Sequence, residues 1–150
     1  MKLRALVIDD SRVMRNMVMQ SLRRANLGEF EFTEAEDGAD ALHKFTPKNT
    51  DILFVDWNMP NLSGIDFVRR IREGGNAGHI PIVMVTSEKT VGKLEEALDE
   101  VGVDEYITKP FTPDVLKRKL ARIIDAIVAE KARQPALSRE FFSKLIGGGG

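Results

Sequence analysis

Asp9 and Asp10 close one apolar run of the chain, Asp56 closes another, Thr86 a third and Lys109 a fourth. If the fold gathers these ends, carboxylates, a hydroxyl and an ammonium meet at one place. Three clustered carboxylates repel one another, so the group must shift a pKa, recruit a basic side chain or bind a cation. Lys109 supplies a single positive charge, which leaves room for a hard divalent ion. Few protein ligands and a phosphate-bearing partner favour Mg²⁺ over Ca²⁺, which takes more oxygens. The chain has no cysteine and no helical histidine pair, which argues against zinc. A carboxylate with an ordinary pKa of ~4 is ionised at neutral pH and attacks phosphorus without a general base. Mg²⁺ and Lys109 would offset charge on the transferring phosphoryl oxygens, and the Thr86 hydroxyl would donate to one of them. Singly, each residue has an ordinary explanation: an acidic pair can open a solvated helix, and Lys-Pro is common loop punctuation. The conjunction carries the chemistry.

Such a conjunction needs a scaffold that ends several strands at one edge. Five apolar segments have strand length: Leu3 to Ile8, Glu29 to Ala35, Asp51 to Val55, Ile80 to Val85 and Val103 to Thr108. They alternate with amphipathic stretches, the pattern of βα units around a buried parallel sheet. Val13, Met14, Met17, Val18, Ser21, Leu22 and Ala25 mark the expected buried face of a first helix, which Ser11 caps. Asp37 with Asp40, Ser63 with Asp66, and Thr112-Pro113-Asp114 start helices over 38–46, 64–73 and 113–132. A fourth helix over 91–100 places Val91, Leu94, Ala97, Leu98 and Val101 on one stripe, and Gly102 ends it. The class expected is α/β, and the open edge of its sheet, beyond the carboxyl ends of the strands, is where ligands gather.

Composition sets the outer limits. The 150 residues, 43% hydrophobic and 30% charged, suit one globular domain. A formal net charge of −1 gives no field favouring nucleic acid or an anionic membrane. The N-terminal apolar run is too short for a signal peptide or membrane span, so a cytoplasmic location without membrane insertion is expected. His43 and His79 are expected at the surface. Lys117, Arg118, Lys119 and Arg122 make the fifth helix basic, which is read first as a solvated side.

Four motifs resemble the CheY-like receiver domains of two-component signalling: Val7-Ile8-Asp9-Asp10-Ser11; Val55-Asp56-Trp57-Asn58-Met59-Pro60 with Ser63-Gly64; Val85-Thr86-Ser87; and Tyr106-Ile107-Thr108-Lys109-Pro110-Phe111. The resemblance covers about residues 3–130, and Asp56 to Pro60 is similar to the chemotaxis branch. It implies a doubly wound, flavodoxin-like sheet of order 2-1-3-4-5 with helices on both faces, and a phosphoacceptor switch, not an enzyme acting on a separate substrate. It also implies that a chemotaxis-type histidine kinase phosphorylates Asp56. Asp10 and Asp56 would ligate Mg²⁺ directly, Asp9 through water, and the backbone carbonyl of Asn58 would complete the set. Lys109 would contact the phosphoryl group. Thr86 and Tyr106 would form a switch pair signalling to the face of helix four, strand five and helix five, and Asn58 and Glu88 would tune phosphoryl lifetime. The listener implied is a flagellar motor switch protein. A non-chemotaxis phosphorelay is the alternative within the family. An aspartate-nucleophile phosphatase of the haloacid dehalogenase type would resemble Asp-x-Asp, whereas Asp9 and Asp10 are adjacent. A flavodoxin-type binding protein would meet charge repulsion from that pair.

Two departures stand out. The segment Thr86 to Lys109 is one residue longer than in the chemotaxis proteins it resembles, and Gly92 lies near the start of helix four. The receiver is expected over 1–132. Lys131 to Pro135 is expected to break the last helix, leaving a 133–150 extension. There Leu137, Phe141, Phe142, Leu145 and Ile146 fit a short amphipathic helix ahead of a glycine tail. Such a helix is too short to stand alone in water, so docking in cis or on a neighbouring molecule is expected, unless it begins a linker.

Overall fold

Alternate residues of a strand turn to opposite faces, and here both faces are apolar. Leu6, Ile8, Leu53, Val55, Ile82 and Met84 belong to one buried cluster, and Ala5, Val7, Ile52, Phe54, Val83 and Val85 to the other. A sheet of this kind must be covered on both sides. The computed structural model describes residues 2–75 and 79–147, with side chains described through Arg133. Strands β1 (Lys2–Ile8), β2 (Glu29–Ala35), β3 (Ile52–Val55), β4 (Ile82–Thr86) and β5 (Glu105–Thr108) form one parallel sheet of order β2-β1-β3-β4-β5. Val18, Met19 and Leu22 of α1 (Arg12–Arg24) join Leu116, Leu120, Ile124 and Ile127 of α5 (Pro113–Gly147) in covering one face. The other lies under α2 (Gly38–Lys44), α3 (Gly64–Glu73) and α4 (Val91–Glu95), through Ala41, Phe67, Ile71 and Leu94. The expected doubly wound topology is present.

Each predicted cap operates. The backbone N–H of Met14 donates to Ser11 Oγ, that of Asp40 to Asp37 Oδ1, that of Asp66 to Ser63 Oγ and that of Val115 to Thr112 Oγ1. Each satisfies a donor that the first helical turn leaves unpaired. Among the described residues no buried side-chain nitrogen or oxygen lacks a partner.

Three expectations need correction. On α1, Val13 and Met17 are exposed, at 68% and 47%; the buried face is Val18, Met19 and Leu22 with Ala25 at the C-cap, packed among β1, β3, β4 and α5. On α4, Val91 is 71% exposed, while Leu94, Ala97, Leu98 and Val101 pack as the spacing predicts. The helix also changes form, and Glu96–Val101 is a π-helical turn ending at Gly102 with φ 82°. The N–H groups of Gly102 and Val103 both donate to the Ala97 carbonyl. A π turn holds more residues than an α turn, with i→i+5 bonds in place of i→i+4. Finally, α5 does not stop near 132 but continues to Gly147. Pro135 inside a helix costs about 3 kcal/mol, yet the helix runs through it. The glycine tail beyond Gly147 and the side chains after Arg133 lie outside the described residues.

The lower end of α5 is tied to the sheet. Lys131 Nζ lies 2.8 Å from Asp51, whose carboxylate also accepts from the Arg4 backbone N–H and side chain. Burial raises the Asp51 pKa, but hydrogen bonds from Lys131 and Arg4 outweigh it, and the net direction is down from 3.8. A depressed carboxylate stabilises the fold above its unfolded pKa and loses that contribution as pH falls through the folded value. Lys131→Met should therefore cost about 1 kcal/mol at neutral pH. In denaturant titrations at stepped pH, its difference from wild type should start to shrink near the unfolded carboxylate pKa and vanish only below the lower, folded value.

Candidate functional site

The parallel ladder continues one step past the strand ends. The Asp9 N–H donates to the Ala35 carbonyl at 3.1 Å, that of Asp56 to Ile8 at 2.9 Å and that of Lys109 to Thr86 at 2.9 Å. These bonds fix the backbone of the residues whose side chains carry the predicted chemistry, and deliver them to one edge. Oxygens of Asp9, Asp10 and Asp56 lie within 4.8 Å of one another. Lys109 Nζ stands 2.7 Å from Asp9 Oδ2 and 3.6 Å from Asp56 Oδ2. Asp9 and Asp56 are buried, and Asp10 is exposed at the mouth.

Each carboxylate is held differently. Asp9 Oδ1 accepts the Ser11 N–H while Oδ2 takes the Lys109 ammonium, so both its oxygens are engaged. Arg15 donates to the Asp9 carbonyl and pairs with Glu34, bracing the loop from outside. Burial pushes the Asp56 carboxyl up from its ordinary pKa. The Thr86 hydroxyl and Lys109 ammonium oppose that, the Asp9 charge reinforces it, and the net direction is upward. Ligand oxygens around six-coordinate Mg²⁺ sit ~3–4 Å apart at bond lengths near ~2.1 Å. The cluster, all hard oxygen donors with one amine alongside, fits that ion.

Thr86 is fully buried and faces Asp56. Its Oγ1 accepts the Glu88 N–H at 3.3 Å, and the Glu88 carbonyl accepts the Tyr106 hydroxyl at 2.7 Å. Tyr106 is buried, and burial followed by the charges of Glu88 and Asp56 pushes its phenol up to about 12. The two positions expected to act as a switch pair are thus joined through the backbone of one residue. Lys119 on α5 donates to the Tyr106 carbonyl at 2.8 Å, so one basic residue of α5 has a structural role.

Asn58 and Glu88 meet directly: Asn58 Nδ2 donates to Glu88 Oε1 at 2.7 Å, and Lys93 reaches the same carboxylate at 3.1 Å. Both interactions hold Glu88 below its ordinary pKa, the Asn58 bond most. Lys93 also stands 5.3 Å over the Trp57 ring. The Asn58 side chain is thereby engaged with helix four's side of the site. Lys93 was not anticipated, since nothing local in its sequence links helix four to the loop after Asp56. His43 and His79 are exposed, as expected. No described helix is long and apolar enough to cross a membrane.

Comparisons with known proteins agree with this geometry. Residues 5–121 match the model of the response regulator receiver domain. The chain is 41% identical over 123 residues to chemotaxis protein CheY1 of Helicobacter pylori, covering 81% of this chain and 97% of that one. It is 38% identical over 125 residues to chemotaxis protein CheY of Pseudomonas aeruginosa, covering 83% and 98%. Among solved structures, chemotaxis protein CheY4 of Vibrio cholerae superposes with a TM-score of 0.71 at 34% identity, covering 81% and 98%. With its sheet order, its acid cluster and these relatives in agreement, the chain belongs to the response regulator receiver family, as a CheY-like member of two-component signalling.

Proposed function

We propose that this receiver is a phosphorylation switch in which Asp56 accepts a phosphoryl group from a histidine kinase, with Mg²⁺ held by Asp10 and Asp56. The observation that carries this is the convergence of three carboxylates within 4.8 Å beside one lysine ammonium. An Asp56 oxygen forms a bond to phosphorus as the bond from phosphorus to the donor's imidazole nitrogen breaks, and the nitrogen leaves with the electron pair. The attacking group needs no base, only ionisation, which Lys109 and Thr86 favour against burial. Bound Mg²⁺ supplies positive charge for the transferring oxygens. Asp9 acts through water in this scheme, because Ser11 and Lys109 already occupy both its oxygens. The Asn58 backbone carbonyl is the remaining protein donor.

The output follows from the Thr86–Glu88–Tyr106 chain. A phosphoryl group adds about −1.5 to −2 charges and new acceptor oxygens beside Thr86. It favours the packing with Thr86 toward Asp56 and Tyr106 buried over one in which both move away. The surface of α4, β5 and α5 carries this difference to a partner. The relatives' names support chemotaxis as the pathway; within that pathway a flagellar motor switch protein is the listener in this reading.

The metal assignment is tested through Trp57, the neighbour of Asp56. Titrating MgCl₂ should shift its fluorescence saturably, and Asp10→Asn should weaken the apparent affinity at least about tenfold, as expected for loss of a direct anionic ligand. An unchanged affinity in Asp10→Asn would reject the ligand set.

A further inference from the structure

The three carboxylates of the site are not equally fixed. Asp9 has both side-chain oxygens engaged, by the Ser11 N–H and the Lys109 ammonium, and Asp56 is faced by Thr86 and Lys109. Among the described residues none holds the Asp10 carboxylate by a hydrogen bond or an ion pair. Its direction is therefore set by its backbone. The Asp9 carbonyl and the Asp10 N–H belong to one planar peptide unit, so a rotation of that unit swings the Asp10 side chain. What holds the unit is Arg15. Its Nη1 donates to the Asp9 carbonyl at 2.7 Å and its Nε to Glu34 Oε1 at 2.9 Å, while its own backbone N–H donates to the Ser11 carbonyl at 3.0 Å. One residue thus grips the loop on both sides of Asp10.

That grip is itself anchored. A guanidinium is planar, so two partners on different nitrogens fix its orientation as well as its position. Glu34 stands near the end of β2, paired with Val7 of β1, and its carbonyl accepts Lys44 Nζ from α2 at 2.7 Å. The next residue, Ala35, accepts the Asp9 N–H. The end of β2 therefore fixes Asp9 directly at its N–H, and through Arg15 at its carbonyl. The Arg15 side chain is only 13% exposed, so little water competes for its bonds. We propose that Arg15 is a positioning residue of the metal site: by locking the Asp9–Asp10 peptide it presets the Asp10 carboxylate, and so sets the affinity for Mg²⁺ through the backbone. This rests on the reading of the acid cluster as the Mg²⁺ site. Charge alone predicts the opposite sign, because a guanidinium near a cation's site repels the cation, and removing it with the geometry intact tightens binding. Outer partners that orient a metal ligand change affinity by about 10–100-fold, and that scale applies to Arg15.

MgCl₂ titrations of the full chain at one ionic strength, followed by Trp57 fluorescence, test this. Arg15→Met should bind Mg²⁺ about tenfold more weakly than wild type. Arg15→Lys keeps the charge but can serve only one of the two partners, and should bind about threefold more weakly. In an Asp10→Asn background Arg15→Met should cost less than about twofold more, because the group it positions has gone. Thermal melts without Mg²⁺ read stability separately: a purely structural role lowers the melting temperature of Arg15→Met and leaves its Mg²⁺ affinity unchanged. Affinities of Arg15→Met and Arg15→Lys equal to or tighter than wild type, or losses from Arg15→Met and Asp10→Asn that multiply in full, overturn the positioning role alone. A wild type with no saturable response, or Asp10→Asn at wild-type affinity, overturns the reading of the cluster and this proposal with it.

Discussion

Gly64→Ala should unfold at a markedly lower temperature than wild type and take up phosphoryl groups more slowly. A Cβ at this position would lie 1.8 Å from the Asp56 carbonyl oxygen and 2.8 Å from both its carbonyl carbon and Val55 Cγ1. The obstacle is backbone and cannot rotate aside. The end of β3 cannot yield either, because the Asp56 N–H is bonded to Ile8 and the Gly64 N–H to Trp57. Relief requires the start of α3 to lift off, an overpacking cost of about 3 kcal/mol, or roughly 6–12 °C in a domain of this size. A displacement of about 1 Å at Asp56 costs on the order of 100-fold in rate. Gly92→Ala is the control: it meets nothing within 4 Å and lies inside a helix, so it should gain about 0.5–1 kcal/mol. Paired thermal melts and uptake rates check both; equal melting of Gly64→Ala and wild type would refute the close approach.

Lys109→Met should lose stability and reactivity together. Its ammonium is the cation between Asp9 and Asp56, and without it two buried carboxylates face each other unopposed. Breaking such a pairing costs about 3 kcal/mol at neutral pH. Lys109 also opposes the effect of burial on Asp56, so its removal drives that pKa further up. A carboxylate raised by folding destabilises the native state above its folded pKa, and the penalty disappears as pH falls below the unfolded value. The stability gap should therefore close on acidification. Phosphoryl uptake, which needs the ionised form, should fall about 10²–10³-fold with its pH midpoint displaced upward. Urea titrations and uptake rates across pH read both effects; an unshifted midpoint would count against the electrostatic role of Lys109.

Much of the site was legible because its residues terminate strands. Asp9, Asp56, Thr86 and Lys109 each follow a run whose burial is dictated by composition, and a parallel sheet places such ends together whatever the loops do. The caps were equally plain, since a side-chain acceptor three residues before a free N–H is a local matter. What escaped was non-local. Val13, Met17 and Val91 fit an apolar stripe, yet which flank of a helix meets the sheet depends on where the sheet ends. The Asn58–Glu88–Lys93 contact joins segments about thirty residues apart in sequence, and no periodicity announces it. Gly102 marked the end of helix four, but nothing in its periodicity foretold the π turn over Glu96–Val101. Pro135 marks a break by propensity, yet α5 runs through it.

The central role of Asp56 is tested most directly by the intact mass of the full chain after incubation with acetyl phosphate and Mg²⁺. Wild type should gain about 80 Da, one phosphoryl group, with the adduct on Asp56 and labile as an acyl phosphate is, and Asp56→Asn should gain nothing. A wild type without the adduct, or an Asp56→Asn variant that still carries it, would contradict the assignment of Asp56 as the acceptor.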